Sequence, residues 1–244
     1  KVGVYAILRM FTLVFYHDAQ VTHTVLTVFG AIGMILGALG AVAHWGIRKI
    51  LAYNVIVSVG FMAFGIGLAG TTALAGTVYY LIHDMIAKAW VFILGGAIIA
   101  VAGTDRLREI KGLIRFRPLL GWLFLLATLA LAGVPPLSGF VGKLMILSAG
   151  IDRGQYAVAA VGLITSLLVL YSLLKVFIHS FWGEMLLNEG EERDSGIGAL
   201  LPGTLLAAIA VGLGIWADGV LALVDTAVET LHNPRIYINA VLGR

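Results

Sequence analysis

The chain has 244 residues, of which 60% are hydrophobic and 12% charged, with 31 glycines, no cysteine and a formal net charge of +3. Soluble domains run at about 45–50% apolar and about 25% charged residues, so a water-soluble globule is excluded. The missing thiols exclude disulfides, thiolate metal sites and iron–sulfur ligation by this chain. The excess of basic residues does not indicate nucleic acid, because many of them fall in loops between apolar runs.

A membrane-spanning helix takes about 20 apolar residues, so the length allows roughly seven. The N-terminus shows no initiator Met, short apolar core or cleavage site, so it does not read as a signal peptide. The chain reads instead as one cut from a longer protein. Spans are predicted at 1–16, 22–43, 49–69, 73–102, 118–150, 156–183 and 197–217. The apolar runs are long and continuous rather than alternating, which argues against a β-barrel. Backbone groups in lipid must be satisfied within the segment, which leaves helices. The expected fold class is therefore all-α, a polytopic transmembrane helical bundle of about seven spans.

Loop charges suggest the orientation. The turn at 17–23 carries no Lys or Arg, the next carries Arg48 and Lys49, and the turn at 70–72 is uncharged. The 103–117 loop carries Arg106, Arg108, Lys111, Arg115 and Arg117. By the positive-inside rule, the loops at 44–48 and 103–117 are cytoplasmic. The acidic loop 184–196 then falls on the same side. Residues 218–232 are too short and too charged to span, and read as an amphipathic helix at the outer interface. The outer-turn residues His17, Asp18 and His23 are read as a solvated turn, not a metal site.

Gly30, Gly33, Gly37 and Gly40 recur at helical spacing in the second span and are read as close helix packing. Gly65, Gly67 and Gly70 spell GxGxxG, but a dinucleotide fingerprint follows a strand and opens a helix. This one closes a transmembrane helix and is rejected. Segment 4–15 resembles segment 170–181, with Tyr5, Leu8, Phe11 and Phe15 matching Tyr171, Leu174, Phe177 and Phe181, and Arg9 facing Lys175. The two segments run in opposite directions across the predicted membrane, as in the inverted repeats of secondary transporters.

Ionisable residues at membrane depth are the functional candidates, since each costs about 2.5–3.5 kcal/mol or more to insert. Lys88 sits near the middle of the 73–102 span, with Asp84 one turn earlier on the same face and able to pair with it. His83 points elsewhere, and a histidine passes protons in either direction near neutral pH. Asp84 is open to a purely structural reading as a neutralising partner. The 118–150 run would be about 50 Å as one helix, and it is interrupted by Gly133, Pro135, Pro136, Ser138 and Gly139. The prolines break the hydrogen-bond ladder. Such backbone is tolerated at depth only against protein or water. Lys143 follows the break by about one turn, ~10 Å of helix from the nearer end, which argues against snorkelling. Burial and the positive end of the new half-helix both disfavour its ammonium and favour proton exchange. Lys175 is open to snorkelling and to function alike. Arg9 stays charged and is a structural or electrostatic charge, not a carrier.

The segments KVGVYAILRMFTLVF, RKILAYNVIVSVGF, YYLIHDMIAKAWVFILGG and LAGVPPLSGFVGKLMIL resemble the antiporter-like subunits shared by Mrp-type Na+/H+ antiporters and respiratory complex I. IHDMIAK and LSGFVGK look closest to the D-subunit branch. The likeness runs to about residue 183. It implies two inverted five-helix repeats in the full subunit, each with one broken helix. Residues 1–16 then correspond to the last helix of the first repeat and 22–183 to the second, broken at 133–139. Residues 197–217 form a final transmembrane helix, and 218–244 an interfacial segment and tail.

The resemblance further implies that Lys1 bridges two half-channels, that His83 and Lys88 form a central relay, and that Lys143 is the terminal lysine. Asp84, Arg9 and Lys175 are supporting charges. The family's first-repeat glutamate–lysine pair lies outside this chain. The implied function is a subunit of a multisubunit Na+/H+ antiporter in the bacterial plasma membrane, partnered by other membrane subunits, lipid, H+ and Na+. No enzyme activity, cofactor or metal is expected. Asp84 is the only buried carboxylate among mostly cationic groups, and Na+ wants oxygen ligands, so Na+ is expected to cross elsewhere in the complex. Two alternatives stand: a proton-pumping subunit of complex I or a membrane-bound hydrogenase, and a non-conducting scaffold.

Overall fold

A computed structural model describes residues 1–15, 19–183, 198, 200–233, 239 and 243. The described chain is helical: α1 (Val2–Leu13), α2 (Ala19–Ala43), α3 (Ile47–Gly67), α4 (Thr71–Ala102), α5 (Pro118–Ala132), α6 (Ser138–Asp152), α7 (Tyr156–Phe181), α8 (Leu200–Ile215) and α9 (Ala217–His232). Two 3-10 turns, Leu107–Glu109 and Leu113–Arg115, lie in the basic loop. Strand-like pairing among the described residues is one isolated bridge, Gly46 to Arg106.

Each predicted span corresponds to a helix, or to the pair α5 and α6 for 118–150. Four helices, α2, α3, α4 and α7, are long and apolar enough to cross a membrane, and the bent pair α8 and α9 would make a fifth. Helices α1 and α5 are apolar but shorter. The acidic loop 184–196, with His17 and Asp18, lies outside the described residues. Helix α2 begins at Ala19, so His23 belongs to a helix and not to the expected turn; its ring stands edge-on to Phe11 at 5.6 Å.

Helix ends follow local chemistry. Gly103 (φ 73°) closes α4 and Gly133 (φ 85°) closes α5, each in the left-handed region that glycine enters freely. Pro118 opens α5, where its missing N–H costs nothing. Helices α2 and α3 pack backbone against backbone: a side chain at Gly30 would strike the Gly60 carbonyl, and one at Gly37 the Val57 amide. Small residues permit such approach where no hydrophobic effect drives helices together. Gly65 and Gly67 end α3 and face Thr77 and Thr27, so the GxGxxG run is a packing feature. Helix α9 turns 78° from α8, packs on α4 and buries Val224, Val228 and Leu231.

Helix α4 is the centre of the bundle. It touches α3, α5, α6, α8 and α9, and Trp90, Leu94, Ala87 and Ile98 along it are fully buried. Every candidate proton-handling residue lies on α4 or against it, apart from Lys175.

Candidate buried proton-handling site

The α4 turn from His83 to Lys88 presents three ionisable groups to three neighbours. Asp84 is fully buried and its carboxylate forms an ion pair with the Lys1 ammonium. The expected partnership of Asp84 with Lys88 is not the one made. Lys88 Nζ instead donates to the main-chain oxygen of Asn54 on α3, at 2.9 Å. A carbonyl already inside a helix keeps a second lone pair, and the long lysine stem reaches across to α3 as readily as along its own helix.

His83, also buried, faces the broken segment: its Nδ1 lies 2.8 Å from Ser138 Oγ at the first residue of α6. A side chain at Gly139 would meet the Ala130 carbonyl and lie 2.8 Å from His83 Nε2. The glycine therefore lets α5, α6 and the imidazole come together. The break is covered by protein: a side chain at Gly214 of α8 would strike the Pro136 carbonyl and the Ser138 amide. That cover meets the condition for irregular backbone at depth.

Lys143, one turn into α6, is 7% exposed. Its Nζ donates to the main-chain oxygens of Leu131 and Ala132, both at 2.9 Å, and lies 5.9 Å from the rings of Phe61 and Tyr80. Leu131 and Ala132 end α5, where carbonyls lack helical partners and carry partial negative charge. Beside the two disfavouring effects expected from the sequence, the structure adds a favourable one. The positive end of α6 opposes the charge, but the negative end of α5 holds it. Both effects come from the same break.

Lys175, on α7, holds carbonyls in the same way. It is 5% exposed, and its Nζ donates to Val42 O at 2.7 Å and His44 O at 2.6 Å. These carbonyls end α2, and Trp45 lies beneath the ammonium at 5.1 Å. Lys175 thus caps the C-terminal end of α2. Arg9 is partly buried on α1.

Lys88 and Lys143 line one small cavity with Asn54, Ser58, Phe61, Tyr80, Ser166 and Val169. Its volume of about 10 Å³ is room for about one water. The structure therefore brings Lys1, Asp84, His83, Lys88 and Lys143 to one stretch of α4 and the break, and leaves Lys175 at the end of α2. Sequence reasoning missed Asn54, which accepts from Lys88 and donates through Nδ2 to Ser172 Oγ at 3.0 Å. Its signal was available: an amide in the middle of an apolar span. Among the described residues, no group of three His, Asp or Glu could hold a metal ion.

A family described as NADH:quinone oxidoreductase/Mrp antiporter, TM, matches residues 1–169. The D-type subunit of the Na(+)/H(+) antiporter of Bacillus subtilis is 43% identical over 242 residues, covering 99% of this chain and 49% of that protein. The Mrp complex from Dietzia sp. holds a chain with TM-score 0.90 and 31% identity, covering 99% of this chain and 53% of that one. Respiratory complex I from Thermus thermophilus holds one with TM-score 0.80 and 25% identity, covering 95% of this chain and 50% of that one. The chain spans about half the length of the curated relatives it matches. The family match takes in Lys1, α1 to α6 and half of α7, and with them Lys88 and Lys143, and on that match the chain belongs to the NADH:quinone oxidoreductase/Mrp antiporter transmembrane family.

Proposed function

We propose that the chain is part of a D-type subunit of a multisubunit Na+/H+ antiporter in the bacterial plasma membrane, and that it relays protons through Lys1, His83, Lys88 and Lys143. One observation carries the reading: Lys88 and Lys143, from different helices, line a single buried cavity. A proton leaving one ammonium for the other amine stays inside the bundle. Gaining a proton at one lysine repels the proton on the next, so transfers couple without large helix motion. In this reading residues 1–16 close a first repeat, 22–183 form a second inverted repeat broken at 133–139, and 197–217 add a last helix. The partners are the other subunits of a hetero-oligomeric membrane complex.

The buried ionisable groups are mostly cationic, and Asp84, the only buried carboxylate among the described residues, already holds Lys1, so a Na+ site among them would be repelled. Sodium therefore crosses elsewhere in the complex. Loss of Na+ dependence in Asp84→Asn, with proton conduction intact, would overturn that assignment. The relay is tested by Lys143→Ala in the full complex in everted vesicles. Exchange is expected to be lost; unchanged exchange would refute it. Proton movement that depends on NADH or quinone, and not on Na+, would support the complex I alternative.

A second reading has an observation of its own. Lys88, Lys143 and Lys175 each hold main-chain carbonyls, as cations that only lock helices would. That scaffold reading expects neutral substitutions to reduce assembly and to leave the flux of assembled complexes alone.

A further inference from the structure

Asn54 is 1% exposed and sits where α3 faces both lysines. Its Nδ2 donates to Ile50 O at 2.9 Å and to Ser172 Oγ at 3.0 Å. A main-chain oxygen only accepts, so Ile50 fixes which end of the amide is nitrogen. The other end, Oδ1, is buried and has no hydrogen-bond partner in the protein. Buried acceptors are rarely left unmade. The same residue lines the cavity of about 10 Å³ that it shares with Ser58, Tyr80, Ser166, Lys88 and Lys143, and that volume suits about one water bonded to polar groups. Its main-chain oxygen meanwhile accepts from Lys88 Nζ at 2.9 Å.

We propose that Asn54 is a positioning residue that binds one water between Lys88 and Lys143, and that this water carries the proton between the two amines. The proposal rests on the relay reading above. The water donates one hydrogen to Asn54 Oδ1 and the other to the neutral amine, and accepts from the ammonium. As the ammonium's proton moves onto the water, the water's own proton moves onto the amine. The water is regenerated, one lysine has lost a proton and the other has gained it, and Asn54 is unchanged.

The test uses the full antiporter complex in everted vesicles, with Na+-dependent proton exchange scaled to the amount of assembled complex. Asn54→Leu keeps the volume and removes the acceptor; exchange per complex is expected to fall about tenfold or more. Asn54→Ser keeps an acceptor and lets its hydroxyl bond Ile50 O; it is expected to stay within about threefold of the parent. A high-resolution map of the parent complex is expected to show one solvent peak about 2.7–3.2 Å from Asn54 Oδ1. Full exchange in Asn54→Leu, an equal loss in both variants, or a loss that only follows complex amount would each overturn the assignment. Lys143→Ala, run beside them, separates the two claims. If it retains exchange, the relay itself fails. If it abolishes exchange while Asn54→Leu does not, only the role of Asn54 falls.

Discussion

Replacing Gly60 by alanine tests how tightly α2 and α3 are seated. A β-carbon at Gly60 would lie 2.6 Å from the Gly30 main-chain oxygen and 2.7 Å from the Met34 amide nitrogen. Both obstacles are backbone, so no side chain can swing aside. An ordinary contact of about 3.4 Å requires the helices to separate by about 0.8 Å, and a gap of that size forfeits about a quarter to a half of each dispersion contact it opens. Overpacking of this kind costs about 1–3 kcal/mol. At about 2 kcal/mol, and about 2–4 °C per kcal/mol for chains of this length, the midpoint should fall by about 4–8 °C. Gly96 supplies the control: nothing lies within 4 Å of a β-carbon built there, so Gly96→Ala should gain about 0.5–1 kcal/mol from reduced backbone freedom. Fluorescence-detected thermal unfolding of the detergent-purified protein reads both. An unchanged midpoint in Gly60→Ala, or equal losses in the two variants, would refute the reasoning.

Ser138→Ala removes the partner of a buried imidazole and should cost about 1–3 kcal/mol in thermal unfolding, with Ser138→Thr restoring most of it. Tyr79→Phe removes the 2.7 Å hydrogen bond to Leu213 O that ties α4 to α8; a loss of about 0.5–1.5 kcal/mol is expected by the same assay. In the basic loop, a hydrogen bond from Thr104 and then one from Arg106 hold the Glu109 carboxyl below the usual glutamate value. A carboxyl lowered in the folded state stabilises the loop at neutral pH, and that support is lost as pH falls through its folded-state value. Thr104→Val and Arg106→Gln should each move the Glu109 titration, followed by NMR, upward toward the ordinary value.

The buried lysines were legible because a charge inside an apolar run is a local signal. Lys88 and Lys143 need no partner in view to stand out, and the two prolines at 135–136 announce the break beside Lys143. Their partners were not legible. Lys88 was expected to meet Asp84 because helical spacing is all that one chain segment reveals; the structure gives it the Asn54 oxygen from α3. Every residue carries a main-chain carbonyl, so no sequence pattern singles out Leu131 and Ala132, or Val42 and His44, as ligands for an ammonium. Recognising them requires knowing which helix end lies beside which lysine, and that is set by packing. His23 was misplaced for a smaller reason: α2 starts three residues before the predicted span, ahead of the most apolar stretch.

The relay and the scaffold readings divide most sharply at Lys88, which holds one carbonyl oxygen and lines the shared cavity. Lys88→Met in the full complex, with Na+-dependent proton exchange and assembled complex measured on the same vesicles, decides between them. Loss of exchange with complex assembled at the parent level is the predicted result. Exchange per assembled complex equal to that of the parent would contradict the account.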